Sequence, residues 1–400
     1  MAVNFDDVAQ LQDADVKPGD RVVYAADFNT KRDGENPKST QRIDAEIADL
    51  KLIIGKGGIP VILAHQGRFK DGDAGHLDFV AAYLSRQLGV NVVYHPENHT
   101  TEAVDFVANL TPGSVAVMGN TRMHQGEEKN DPLLAERFSK LGKYAAIGGF
   151  GKAHRAHASN VGILDFIPGF ATRSQLDEMR LLAPWAAEEK GYSVAVLGGV
   201  KKEKITIGLE GFARTYDAII PGGIVLNTIV KVLGYTVGDS ILKDGEKSFE
   251  AEVKRLLDAH GNKIHVPGQL IVARFEDGKF HDMQTVTTSD GVPDGYKIVD
   301  SVLSHGALSA LERMVSENGR LVLAGTPSFY PAGFTTATDA VMSRMNRNRE
   351  RCVVLGGDTA AEVNFTGPVS TGGGSALYFV SNGTTAVFDA LKANKRKFSK

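Results

Sequence analysis

Short apolar, β-branched runs recur along the chain with helix-period segments between them: Arg21 to Ala25, Pro60 to Leu63, Val92 to Tyr94, Ser114 to Met118 and Tyr144 to Ile147. Strand-like runs alternating with helical patterns predict βαβ units and a parallel sheet. A second series, Ser193 to Leu197, Ala218 to Ile220, Lys263 to Val266, Leu321 to Leu323, Cys352 to Leu355 and Ala376 to Phe379, predicts a second α/β unit. Thr40 to Lys56 places Ile43, Ile47, Leu50 and Ile54 on one face and stops in Gly55-Lys56-Gly57-Gly58, so one helix is expected with Arg42 in its first turn. Arg173 to Lys190 carries Leu176, Met179, Leu182 and Trp185 near helical spacing, lacks strand character and lies between the two series. It is expected to be an interdomain helix. Residues 270 to 298 are richer in Asp, Gly and Thr, and Glu276-Asp277-Gly278 reads as a hairpin turn in a small antiparallel excursion.

At 400 residues the chain is long for one hydrophobic core, so two domains with a cleft between them are expected. Lys+Arg 45 against Asp+Glu 48 gives a formal charge of -3, which argues against general nucleic-acid binding and makes any basic site local. The single Cys352 rules out disulfides within the chain and CxxC metal sites; it enters an apolar run and reads as a buried thiol. The N-terminus has no basic and apolar leader pattern, and no run of about 18 apolar residues occurs, so a soluble cytoplasmic protein is expected.

Candidate chemistry falls just after the strand runs, where open parallel sheets bind ligands. Asp27-Phe28-Asn29 follows the first run, His65-Gln66-Gly67-Arg68 the second and Arg122 the fourth, with His154-Arg155-Ala156-His157 beyond the fifth. With Arg42 this makes four arginines, whose planar forks suit phosphate and carboxylate oxygens. Singly, Asp27 and Asn29 would serve as turn caps, His65 as a satisfied core histidine and the arginines as solvated side chains; their repeated placement points to an anion site. The second half holds glycine-rich segments at Gly198-Gly199, Gly222-Gly223, Gly356-Gly357-Asp358-Thr359 and Gly372-Gly373-Gly374. Turn NH groups and helix N-termini of this kind cradle phosphates, Lys201 could neutralise a phosphoryl group, and Asp358 could hold Mg²⁺. No GxxxxGK[ST] sequence is present, and single glycine pairs also occur in ordinary turns.

Taken in order from Val22 to Leu391, these segments resemble phosphoglycerate kinases. The resemblance rests on Asp27-Phe28-Asn29, Thr40-Gln41-Arg42-Ile43, His65-Gln66-Gly67-Arg68, Arg122 through Gly126-Glu127-Glu128-Lys129-Asn130-Asp131-Pro132, Gly151-Lys152-Ala153-His154-Arg155-Ala156-His157, Gly198-Gly199, Gly356-Gly357-Asp358-Thr359 and Ser370-Thr371-Gly372-Gly373-Gly374. His-Gln-Gly-Arg and Gly223-Ile224-Val225-Leu226-Asn227 look closer to archaeal-type members. The resemblance implies an α/β fold of two Rossmann-like three-layer domains with parallel sheets: 1–172 for phosphoglycerate, an interdomain helix at 173–190, 191–380 for nucleotide, and a tail at 381–400 returning to the first domain. It implies a cytoplasmic, hinge-bending monomer of glycolysis that moves a phosphoryl group between MgATP and the carboxylate of 3-phosphoglycerate, without nucleic-acid or membrane partners. By position, Asp27, Phe28, Asn29, Arg42, His65, Gln66, Gly67, Arg68, Arg122 and Arg155 would bind the acceptor. Arg42 and Lys201, with NH groups near Gly373 and Gly374, would stabilise the transferring group. Gly198, Gly199, Lys201, Lys204, Gly222, Gly223, Gly325, Gly356, Gly357, Asp358 and Thr359 would bind nucleotide, with Asp358 on the metal.

The chain also departs from that pattern. The family's arginine two residues before Asp-Phe-Asn is Ala25, and its Asn-Asp-Ala-Phe-Gly reads Ile147-Gly148-Gly149-Phe150-Gly151, removing a polar pair. The asparagine and glutamate expected on the nucleotide side are Ala324 and Pro331, the first glycine of Gly-Gly-Gly-Met is Pro221, and the segment after Gly199 is one residue short, matching the second lysine to Lys204 or Lys202. These changes leave two alternatives to the ATP-dependent reaction: a same-fold kinase with another donor or acceptor, or a non-catalytic phosphometabolite-binding paralog. The lysine-rich end from Lys392 is expected to be a solvated helix end with Val387, Phe388 and Leu391 packed on the first domain.

Overall fold

The computed structural model describes residues 3–187, 189–242 and 248–398. Two units emerge, one formed by residues 4–179 together with the chain from Thr384, the other by residues 180–383. In the first, strands β1 (Arg21–Ala25), β2 (Ile59–Leu63), β3 (Val92–His95), β4 (Val115–Met118), β5 (Tyr144–Ile147) and β6 (Gly169–Ala171) form a parallel sheet in the order β3-β4-β2-β1-β5-β6. Helices cover the sheet, so central strands such as Ile59–Leu63 are buried throughout and read as continuous apolar runs. Successive connections run to opposite sides from β1 and β5. The crevice beyond their carboxyl ends therefore lies at Asp27 and Gly148.

The segment from Thr40 to Lys56 is two helices, Gln41–Asp44 and Ile47–Gly55. At the break Glu46 N donates to Ile43 O, three residues back, and the Glu46 side chain turns into the interior. The expected interdomain helix is also shorter, spanning Arg173–Leu182 and followed by a 3-10 turn at Ala183–Trp185. Pro184 lacks the NH that would continue it. The helix start is held by Asp49, whose carboxylate accepts from Arg173 N at 3.0 Å and Ser174 N at 3.1 Å.

The C-terminal helix Ala386–Phe398 belongs to this first unit. Val387, Phe388 and Leu391 face Ala171, Leu176 and Met179, and the Asn394 amide donates to Leu164 O at 2.6 Å and Ile167 O at 2.9 Å. Of the lysine-rich end, Lys395 and Lys397 reach backbone oxygens of Asp6 and Asp165; residues 399 and 400 lie outside the described residues.

The second unit contains β7 (Ser193–Leu197), β8 (Ala218–Pro221), β9 (Gln269–Glu276), β10 (Lys279–Thr287), β11 (Tyr296–Val302), β12 (Arg320–Ala324), β13 (Cys352–Leu355) and β14 (Val369–Ser370). Five make a parallel sheet in the order β8-β7-β12-β13-β14, whose switch point lies between β7 and β12. The other three form the expected antiparallel excursion, in the order β10-β9-β11. Asp277 and Gly278 have φ of 50° and 75° at its turn, the left-handed pair that a two-residue hairpin requires. Two strand expectations fail here. Lys263 to Val266 makes only one parallel bridge, Ile264 to Ile219, before Pro267 ends the run. Ala376 to Phe379 lies inside the helix Gly373–Asn382, because a short buried apolar run has the same pattern in either structure. Cys352 is buried and free, and burial pushes its thiol up to about 12.

Candidate active site

In the first unit, Asp27 sits immediately past β1 and is 4% exposed. Its Oδ2 accepts from Arg42 Nη1 at 2.7 Å, and its Oδ1 lies 3.6 Å from His65 Nε2. Burial alone would raise its pKa, but His65, Arg42 and Lys152 together hold it below the ordinary carboxylate value. His65, just past β2, is buried; desolvation and the positive charge of Lys152, Arg122 and Arg42 outweigh Asp27 and bring it down to about 3, so the imidazole is neutral at physiological pH.

The loop after β2 is tied to its neighbours. Asn29 Oδ1 accepts from Gly67 N at 3.2 Å, and the Asn120 amide group donates to Gln66 O and Gly75 O at 2.8 Å each. Gln66 Oε1 accepts from Gly75 N at 2.7 Å, so Gln66 shapes the loop. Gly67 has φ of 71°, and a Cβ there would meet Asp73 Oδ1 at 2.5 Å. Arg68 is exposed beside Asp71 of its own loop, 3.7 Å away. Phe28, expected at the acceptor site, is fully buried in the apolar core and anchors the Asp-Phe-Asn motif from beneath.

Arg122 is 3% exposed and pairs through Nη1 with Glu128 at 2.6 Å, while its Nε is buried without a partner. Arg155 is exposed, donates from Nε to His154 Nε2 at 3.0 Å, and contributes to the positive field on Arg122 and His157. His157 is buried beside Glu127, 4.0 Å from it; desolvation, then Arg122 and Lys152, bring it down to about 2. The structure thus brings Asp27, Arg42, His65, Arg122 and Arg155 into one electrostatic neighbourhood and leaves Arg68 at its rim.

Two side chains in this neighbourhood have no role in the expected site. Lys152 is 5% exposed among Glu127, Asp27, Arg122 and Glu46. Glu46 accepts from Gly149 N at 2.8 Å and Ser174 Oγ at 2.8 Å, and from Tyr24 Oη. A Cβ on Gly148 would collide with Glu46 Oε2 and Tyr24. The space beside Gly148 is therefore taken by a carboxylate from the turn between the helices Gln41–Asp44 and Ile47–Gly55. Glycine there and glutamate at 46 are complementary, a pairing that linear sequence does not display.

In the second unit the glycine loops pack backbone on backbone. Added Cβ atoms on Gly198, Gly222 and Gly223 would collide with Thr326, Pro327 and Gly199, and one on Gly325 would meet Gly198 O at 2.6 Å. The loops after β7, β8 and β12 are thereby brought together at the sheet's switch point. Lys201 and Lys204 stand beyond Gly199, the first exposed. Desolvation, then the charge of Lys201, brings Lys204 down to about 8; it stays largely charged near neutral pH, and an anion arriving there would raise it again. Lys204 opens a π-helical turn, Lys204–Leu209, directly after the shortened segment. Asp358 is exposed in the first turn of Gly357–Glu362, within electrostatic reach of Glu362, and Thr359 is half-buried beside Gly356. Gly373 and Gly374 open the helix Gly373–Asn382. No group of three or more His, Cys, Asp or Glu able to hold a metal occurs among the described residues.

The family model described as phosphoglycerate kinase matches residues 11–392. The chain belongs to the phosphoglycerate kinase family. It is 31% identical to the phosphoglycerate kinase of Thermosipho africanus over 97% of this chain and 98% of that protein. Against the phosphoglycerate kinase of Latilactobacillus sakei subsp. sakei it is 31% identical, over 94% and 96%. The solved phosphoglycerate kinase of Coxiella burnetii matches with a TM-score of 0.74 at 23% identity, over 96% of this chain and 99% of that one. The structure from Pyrococcus horikoshii OT3 matches at 0.72 and 22%, over 98% and 100%. These structural matches show the shared α/β fold.

The protein is accordingly a phosphoglycerate kinase-like phosphotransferase with a carboxyl group as acceptor, from a family that uses ATP and ADP. Its departures from the family pattern in the second unit occupy defined places in the fold. Ala324 is the buried last residue of β12, and Pro331 stands exposed in the 3-10 turn Tyr330–Ala332. Beside that turn, Phe329 and Phe334 pack on Phe280 of β10.

Proposed function

We propose that this protein transfers a phosphoryl group between MgATP and the carboxylate of 3-phosphoglycerate, with the acceptor on the first unit and the nucleotide on the second. The observation that carries the acceptor side is the Asp27–Arg42–His65 cluster beside Arg122, Arg155 and Lys152. Arg122, Arg155 and neutral His65 hold the acceptor's own phosphate, with Arg68 closing from the rim. Asp27 and Asn29 orient its hydroxyl and carboxylate end. Arg42, released from Asp27, turns its fork toward the transferring group, where charge is spread over equatorial oxygens.

On the donor side, backbone NH groups around Gly199, Gly223 and Gly373 cradle the polyphosphate, and Lys201 and Lys204 neutralise it. The metal fits Asp358: one open carboxylate suits Mg²⁺, which takes one or two protein carboxylates and fills its octahedron with phosphate oxygens and water. When bound, Mg²⁺ supplies charge neutralisation on the phosphates. Catalysis is positioning and electrostatics, completed by hinge closure of a cytoplasmic monomer.

Ala324 and Pro331 favour one variation of this reading, a loosened preference for the nucleoside. Two lost hydrogen bonds to neutral hydroxyls, at about 0.5–1.5 kcal/mol each, weaken nucleotide binding roughly ten- to a hundredfold. Titration calorimetry of 3-phosphoglycerate and of MgATP against the wild type tests the assignment of sites. Independent binding of both, with only the first weakened by Asp27→Asn and only the second by Asp358→Asn, supports it; loss of both in either variant contradicts it.

A further inference from the structure

Lys152 ends the short turn Phe150–Lys152, which the chain presses against the acceptor cluster. A Cβ on Gly149 would meet Asp27 N at 2.6 Å, and one on Gly151 would meet Asp27 Oδ2 at 2.6 Å and Arg42 Nη1 at 3.9 Å. Only glycines allow this approach, and it delivers the Lys152 side chain into the site at 5% exposure. An ammonium taken from water needs hydrogen-bond acceptors. Its neighbouring carboxylates are already engaged: Asp27 by Arg42, Glu127 by Ser159 N and Oγ, and Glu46 by Gly149 N, Tyr24 and Ser174. Glu127, Asp27 and Glu46 act on the Lys152 ammonium through their charge and not through a hydrogen bond. Arg122, within electrostatic reach of Lys152, holds an unclaimed buried donor at Nε. A buried lysine and a buried, unclaimed guanidinium NH within electrostatic reach of each other form a seat for an oxyanion.

We propose that Lys152 is an acceptor-binding residue that donates from Nζ, alongside Arg122, to the anionic oxygens of the phosphorylated acid. It returns to the site the cation that Ala25 removes, from a different element. The assignment rests on the acceptor reading above.

Calorimetry with 3-phosphoglycerate on the wild type, Lys152→Met and Lys152→Arg tests it, together with the apo melting temperature and the kcat and KM for each substrate. Lys152→Met is expected to weaken 3-phosphoglycerate on the order of 10- to 100-fold, the range of a charge-assisted hydrogen bond. The KM for MgATP should stay within twofold, the apo protein should melt no lower than wild type, and Lys152→Arg should recover most of the affinity. Unchanged 3-phosphoglycerate affinity in Lys152→Met, or a variant that fails to fold, would overturn the assignment and make Lys152 a structural cation. Wild-type protein that binds no 3-phosphoglycerate would overturn the acceptor reading itself and this assignment with it.

Discussion

At the scale of single residues, the site is an economy of charge. Asp27 pairs with Arg42 at 2.7 Å, and in the proposed reaction the same arginine turns once a carboxylate or phosphoryl group competes for it. Arg42→Ala should therefore lower kcat about 10²- to 10³-fold while changing the KM for 3-phosphoglycerate little, because the lost interaction belongs to the transition state. Equal losses in KM and none in kcat would place Arg42 on the ground state instead. Asp27, Arg42 and His65 were legible in the sequence because each directly follows a strand-like run or opens a helix. Lys152 and Glu46 were not. Their meaning comes from burial and from what Gly148, Gly149 and Gly151 let approach them, which depends on chain segments far apart in sequence.

At the scale of elements, the parallel strands were readable because both faces of each are buried, and the hairpin because Asp277-Gly278 needs left-handed backbone. What failed was local ambiguity: an apolar run of four residues reads alike in a buried helix and a buried strand, so Ala376 to Phe379 was misplaced. The helix break at Glu46 escaped because the apolar period continues across it. The glycine loops of the second unit carry the strictest element-scale constraint. Gly198 has no room for a Cβ against the Thr326 backbone, so Gly198→Ala must separate the loops after β7 and β12. It should cost roughly 1–3 kcal/mol of stability, read by urea denaturation, and should weaken MgATP more than 3-phosphoglycerate. Wild-type stability and nucleotide affinity in that variant would contradict the loop-on-loop construction.

At the scale of the whole molecule, neutral histidines wholly or partly shielded from water set the acid limit. His65, His154 and His157 stand at about 3, 4 and 2 in the folded protein, all below the ordinary 6.5. Between those values and 6.5 the unfolded chain binds more protons than the folded one, so their stabilisation is full above 6.5 and is lost as pH falls through this window. Glu46 and Asp49, raised by burial, act with the opposite sign at the carboxylate end of the range. The urea midpoint is expected to fall from pH 7 to pH 5, and to fall less in a folded His157→Gln variant; equal slopes in both would remove His157 from the account.

The central claim is that the acceptor cluster and the glycine-loop site together perform phosphoryl transfer despite Ala25, Ala324 and Pro331. It is tested most directly by measuring formation of the acyl phosphate from MgATP and 3-phosphoglycerate in a coupled assay, with Arg42→Ala and Asp358→Ala alongside. Turnover by the wild type, reduced at least a hundredfold in both variants, is the result expected. Folded wild-type protein that binds 3-phosphoglycerate but forms no acyl phosphate would contradict the claim and leave a phosphoglycerate kinase fold without that reaction.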